Sequence, residues 1–155
     1  MPMSPSWRPP ARIRVKTFGL HWNGDALLAA EITRDDGTPI GVRPLGGNLN
    51  FGEPWVVALR REFREELGVE LSWIGPPRVI ENIFEHEGAT GHEVVFVADV
   101  EFADKALDAP ASLEFAESDG TTRKARWYPM AEIRSGRRRL LPAGLETAML
   151  GGERK

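Results

Sequence analysis

Along most of this chain apolar and polar residues alternate at every second position, the rhythm of half-buried strands, and one interior stretch breaks it with the period of a long helix. Ala11 to Trp22 sets Ile13, Val15, Thr17 and Phe18 against Arg12, Arg14 and Lys16, which predicts a half-buried strand running into the turn Asn23-Gly24-Asp25. Ala26 to Thr33 predicts a second strand, Asp35-Asp36-Gly37 another turn, and Ile40 to Leu45 a short third strand. The opening third therefore reads as a hairpin or meander.

Pro54 suits a first helical turn, where its missing N–H would lack a partner anyway, and Gly68 suits the left-handed position just past a helix end. Together they predict a helix over Pro54 to Leu67. On its wheel Val56, Leu59, Phe63 and Leu67 share an arc of about 80°, the expected core stripe. Beyond it Glu70 to Ile74 and Arg78 to Glu87 read as extended, Gly88-Ala89-Thr90-Gly91 as a loop, and Glu93 to Phe102 as a strand too apolar for a sheet edge. Ser112 to Glu117 and Lys124 to Tyr128 predict a second hairpin around Ser118-Asp119-Gly120, followed by a short helix over Pro129 to Arg134 and a longer one over Pro142 to Leu150. The outline is mainly β with one long central helix, an α+β or α/β sandwich.

At 155 residues the chain is the size of one domain. Four prolines and two serines among the first ten residues predict a disordered leader over 1–10 and a single domain over 11–155. No stretch approaches the roughly 20 apolar residues of a membrane span, and the N-terminus lacks the apolar core of a secretory signal, so a cytoplasmic protein without a membrane partner is expected. The absence of cysteine excludes disulfides and leaves only oxygen or imidazole ligands for a metal. A net charge of −3 argues against a broad face for nucleic acid, and Arg137, Arg138 and Arg139 read as a solvated surface run.

Candidate chemistry concentrates in Gly47 to Val69, GNLNFGEPWVVALRREFREELGV. Glu62, Glu65 and Glu66 share an arc of about 100° beside the core stripe, with the small Ala58 one turn back. Like charges three and four residues apart are unfavourable by roughly 0.2–0.5 kcal/mol per pair unless cations answer them. Arg61 and Arg64 answer part, and a divalent cation would answer the rest. Carboxylate oxygens suit Mg2+, which combines a few such ligands with substrate phosphates. Glu53 adds a fourth carboxylate at the helix start, and Gly46, Gly47 and Gly52 let the preceding loop fold tightly.

Read as a whole, this spacing resembles the Nudix box: glycine, five residues, glutamate, seven residues, then Arg-Glu-apolar-x-Glu-Glu-x-Gly-apolar. Gly47, Glu53, Arg61, Glu62, Phe63, Glu65, Glu66, Gly68 and Val69 occupy those places without gap or shift. The resemblance implies an α/β/α sandwich around a mixed central sheet and a hydrolase that cleaves a nucleoside diphosphate linked to another moiety X. It makes Glu62, Glu65 and Glu66 ligands of Mg2+, with Mn2+ a substitute, and gives Glu53 a second metal or an orienting role. Arg61 would hold a glutamate by an ion pair and Gly47 would offer its carbonyl. Glu66 is the first choice for the base that activates water, with Glu93 or Glu117 the alternatives. A nucleotide-sensing module of the same fold, binding without cleaving, is the other reading; such modules tend to lose box glutamates, and this chain keeps them. An isomerase acting on a prenyl diphosphate would want a catalytic cysteine.

Outside the box, His86 and His92 flank the loop of FEHEGATGHE, which the resemblance places near the substrate, so His92 and Glu93 are candidate substrate residues. Trp55 is a candidate for stacking on a base, whereas Trp7 falls in the expected leader. The pattern does not choose among nucleoside triphosphates, ADP-ribose, dinucleoside polyphosphates and sugar nucleotides. A homodimer is compatible with it.

Overall fold

Eight strands, three α-helices and a 3-10 turn form among the residues described by the computed structural model, 7–117 and 120–151, the last two by backbone alone. Strands β1 (Ile13–Asn23), β2 (Ala26–Thr33) and β3 (Pro39–Asn48) precede helix α1 (Trp55–Leu67). They are followed by β4 (Leu71–Ile74), β5 (Arg78–His86), β6 (Ala89–Phe102), β7 (Ser112–Ala116), β8 (Thr122–Pro129), α2 (Met130–Arg134) and α3 (Leu145–Gly151). Lys105–Asp108 forms the 3-10 turn.

The strands make one curled mixed sheet in the order β4-β6-β1-β3-β2-β8-β7, with β5 also on β6. Only β1 and β6 run parallel, in register from Ile13 opposite His92 to His21 opposite Val100. β6 is thus interior, as its apolar run requires. β1 and β2 touch only at Trp22–Leu27 and Asn23–Ala26, beside their turn, because β3 inserts between them, so the opening third is a hairpin split by its third strand and not a meander. β7 and β8 form the expected second hairpin.

Helices cover both faces. Leu59 and Phe63 of α1 pack with Leu45, Val100, Phe102 and Phe115, while Met130 and Ile133 of α2 and Leu145 and Met149 of α3 pack with Phe18, Val95 and Val97. This is the α/β/α sandwich around a mixed sheet. None of the helices among the described residues is long and apolar enough to cross a membrane.

Several local readings change. Pro54 is the N-cap, extended at φ −60° and ψ 148°, so the helix starts at Trp55, whereas Gly68 takes the left-handed position (φ 68°) as expected. Ala58, not Val56, completes the fully buried face with Leu59 and Phe63. Glu87 and Gly88, both at positive φ, make a two-residue turn between β5 and β6, so Ala89, Thr90 and Gly91 are strand and not loop. Most consequential is β1, whose first half is inverted: Ile13 and Val15 are 61% and 36% exposed, while Arg14 and Lys16 are each 8% exposed. Of the expected leader, 1–6 lies outside the described residues. Trp7–Pro10 is tied down by the Arg8–Asp35 ion pair (2.6 Å) and the Trp7–His86 ring contact (5.4 Å). Ser118 and Asp119 of the expected turn also lie outside the described residues.

Candidate active site

The site begins where β3 ends. Gly46 sits at φ 149°, where a side chain would collide with the backbone carbonyl of Thr17. At Gly47 a methyl group would lie 2.6 Å from both carboxylate oxygens of Glu62. Two glycines therefore let the strand pass under α1 with the Glu62 carboxylate resting on the Gly47 backbone.

Arg61 organises the acidic face. Its Nε and Nη2 donate to the two oxygens of Glu53 (2.8 and 2.9 Å), its Nη1 donates to Glu62 (2.9 Å) and Glu65 (3.1 Å), and Nη2 also reaches the carbonyl of Asn48 (2.9 Å). The Arg61 guanidinium, helped by the backbone N–H of Asn50, holds the Glu53 carboxyl down to about 2. Reciprocally, Arg61 itself is held more firmly protonated than usual. Glu66 goes the other way: burial, then its contact with the Glu62 carboxyl, pushes it well above the ordinary carboxylate range.

Arg61, Glu62, Glu65 and Glu66 line one side of an open cleft of about 1330 Å³. Its floor is basic. Arg14 and Lys16 from β1 and Arg43 from β3 surround the buried carboxylate Glu93 of β6, which bonds Arg14 at 3.0 Å and Lys16 at 3.4 Å and accepts from Asn82 at 3.2 Å. Burial, with Arg43 as the next cause, pushes the Lys16 ammonium down to about 8, and burial also lowers Arg43. On the far wall Glu117 pairs with Arg123 (2.9 Å), and Arg138 pairs with Glu31 (3.1 Å).

Of the residues singled out in the sequence, Gly47, Arg61, Glu62, Glu65, Glu66 and Glu93 line this cleft, and Glu53 is bonded to it through Arg61. Trp55 and His92 do not. Trp55 stacks on Phe96 (5.8 Å between rings, 4° between planes) and packs into the core beneath α1. His92 bonds Glu81 at 3.2 Å on the outer face of β5 and β6. Adjacent strand residues point to opposite faces, so Glu93 in the cleft puts His92 outside it. Trp7, assigned to the leader, lines the cleft beside His86, and Arg138 and Arg139 of the basic run line it too. Arg14, Lys16 and Arg43 were not singled out. The signal present for two of them was the alternation of β1, which gives a face but not which face is inside.

The donor set suits a hard divalent cation. Two carboxyls, Glu62 and Glu66, are in contact, and Gly47 leaves a bare backbone where a Cβ would crowd Glu62. Among the described residues no three His, Asp or Glu side chains already converge on one metal-sized point, since Arg61 draws Glu53 and Glu65 to itself.

Comparison with known proteins gives the same assignment. The NUDIX domain family matches residues 14–145, which covers β1 through the start of α3. With that match and every defining carboxylate of the box in place, the class is a pyrophosphohydrolase. The chain belongs to the NUDIX family. Among solved structures it resembles the ORF135 protein of E. coli (TM-score 0.59, 19% identity, covering 90% of each chain). It also resembles the MutT NUDIX hydrolase of Burkholderia pseudomallei (0.58, 21%, covering 77% of this chain and 85% of that one) and a NUDIX hydrolase of Nitrosomonas europaea (0.58, 21%, covering 90% and 87%). At these identities the likeness is one of fold. No curated protein matches the chain.

Proposed function

We propose that the protein is a Mg2+-dependent hydrolase of a nucleoside diphosphate linked to a further group X, cleaving within the diphosphate. The observation that carries this reading is the contact of Glu66 with Glu62 at the edge of a cleft whose floor is cationic. Paired carboxyls beside unneutralised cations suit a ligand that is a metal on one side and a phosphate on the other.

Glu62, Glu65 and Glu66 would hold Mg2+ or Mn2+, with the Gly47 carbonyl and Glu53 as auxiliary donors. When bound, the metal supplies charge neutralisation to the phosphates and lowers the pKa of a water. The chain's own groups do the rest. Arg61 fixes Glu62 and Glu65 relative to Glu53, so the acidic face is set before substrate arrives. Glu66, ionised once a cation offsets the burial and the Glu62 charge that hold its proton, takes the proton of the attacking water as its oxygen bonds to phosphorus and the bridging P–O bond breaks, releasing a nucleotide and a phosphorylated X. Both oxygens of Glu93 are engaged by Arg14, Lys16 and Asn82, and Glu117 is paired with Arg123, which favours Glu66 over either as the base.

The test is a panel of nucleoside triphosphates, dinucleoside polyphosphates, ADP-ribose and sugar nucleotides, assayed with Mg2+ and with excess chelator, with the products identified. Metal-dependent cleavage of at least one member is expected. If none is cleaved while one binds tightly, the protein is a nucleotide-sensing module and the hydrolase reading falls.

A further inference from the structure

The cleft floor carries more buried positive charge than the fold needs. Arg14, Lys16 and Arg43 face one another over Phe18, with the Lys16 ammonium 5.9 Å and the Arg43 guanidinium 5.2 Å from the same ring centre. Trp7 covers Arg14 from the other side at 5.3 Å. Among the described residues Glu93 bonds Arg14 and Lys16, and the Arg43 side chain makes no hydrogen bond or ion pair. The Nε atoms of Arg14 and Arg43 are buried without a partner.

Three cations against one carboxylate leave two net positive charges. Two further acids face Arg43, and neither neutralises it: Glu117 is taken by Arg123 at 2.9 Å, and Glu66 belongs to the proposed metal side. Holding like charges together in a desolvated site is unfavourable unless an anion answers them. A terminal phosphate, with a charge of about −1.5 to −2 near neutral pH and three acceptor oxygens, matches both the charge and the unsatisfied donors.

We infer that Arg14, Lys16 and Arg43 form a subsite for a terminal phosphate dianion, so that X of the proposed substrate ends in phosphate, as in a nucleoside 5′-triphosphate, and is not a neutral sugar or alcohol. This rests on the proposed cleavage at the box for its meaning in catalysis, but the subsite itself is built by residues outside the box. Arg43 is its centre, since it faces both Glu93 on the floor and Glu66 on the helix.

Two measurements on the full chain test it. In the first, matched pairs sharing a nucleoside (GTP with GDP-mannose, UTP with UDP-glucose, CTP with CDP-choline) are compared in wild type and Arg43→Met. Loss of one partner of a buried charged contact changes affinity by roughly 30-fold or more, so the preference for the triphosphate member should fall by about that factor, mainly through KM. Arg43→Lys should recover part of it. If Arg43→Met weakens both members of each pair equally, the guanidinium serves the shared diphosphate and the inference is overturned. The second measurement needs no turnover: inorganic phosphate is titrated in excess chelator while amide shifts of residues 14–18 and 42–44 are followed. Saturable shifts in wild type, lost in Arg43→Met and in the independent variant Lys16→Met, support the subsite; no shifts in wild type, or equal shifts in all three proteins, overturn it. A protein that binds phosphate this way yet cleaves nothing keeps the subsite and loses the hydrolase reading.

Discussion

Replacing Gly47 by alanine should separate activity from stability. The added methyl group would stand 2.6 Å from each carboxylate oxygen of Glu62, against an ordinary contact of about 3.5 Å, so something must move by about 1 Å. The backbone of β3 is held by its ladder to β1, with Thr17 opposite Gly47, whereas the carboxylate is the far end of a flexible side chain. Glu62 therefore moves. An off-rotamer glutamate costs about 0.5–1.5 kcal/mol, and weakening its bond to Arg61 adds about 1 kcal/mol, so the melting temperature should drop by only about 3–10 °C. A displacement of that size at a proposed metal ligand should lower kcat/KM by about 10²-fold. The assay is steady-state hydrolysis of the best panel substrate beside a circular-dichroism melt. The neighbouring Gly46→Ala is the contrast, because its methyl group meets the Thr17 backbone and cannot be relieved by a side chain; a loss of more than about 3 kcal/mol is expected there. Should Gly47→Ala retain activity within about threefold of wild type, or unfold like Gly46→Ala, the placement of Glu62 against this backbone would be wrong.

Glu65→Gln and Glu66→Gln should each lower turnover by at least about 10²-fold with melting curves close to wild type; near-normal rates in both would remove these residues from the reaction. Arg61→Met should destabilise by about 2 kcal/mol near pH 7, because its bond to Glu62 is charge-assisted and partly shielded. Glu53 is held down to about 2, so whatever its pairing with Arg61 adds is present above about 4.5 and lost as pH falls towards 2; the gap between wild type and Arg61→Met should narrow over that window, and a constant gap in urea titrations would contradict it. Lys16 acts with the same sign at higher pH, although there it is the charged form that the fold disfavours. Its folded value of about 8 lies below the ordinary 10.5, so between them the unfolded chain holds more protons, and wild type should gain up to about 3 kcal/mol relative to Lys16→Met as pH rises through that range. Parallel stability curves for the two proteins would count against a desolvated Lys16.

The parts of the molecule that follow from local chemistry were readable in the chain. Gly68 stops α1 because only a left-handed residue fits there, and the 3.6-residue period fixes which flank carries Glu62, Glu65 and Glu66. Strand segments followed from alternation, yet alternation is blind to sign. Ile13 and Val15 looked like the inner face of β1, but β1 lies between β3 and β6, and it is Arg14 and Lys16 that turn to the cleft. Nothing within residues 11–22 reports that neighbour. The same rule of two explains Glu93 and His92, which a reading of the loop put together and the strand holds apart. Trp55 was read as a candidate for stacking on a base, and the unseen factor was Phe96, some forty residues away, on which it stacks.

The parallel pairing of β1 with β6 has a consequence for how activity comes into being. Residues 14–18 and Glu93 meet only after the whole of α1 and β5 has been made, so the floor is a long-range contact and the acidic helix a short-range one. Loop closure of that length slows assembly relative to helix formation. A nascent chain halted before Ala89 would hold every carboxylate of the box and none of the closed cleft. During refolding, the far-ultraviolet helical signal should therefore return no later than catalytic competence, since competence waits for the last interior strand to dock beside the first.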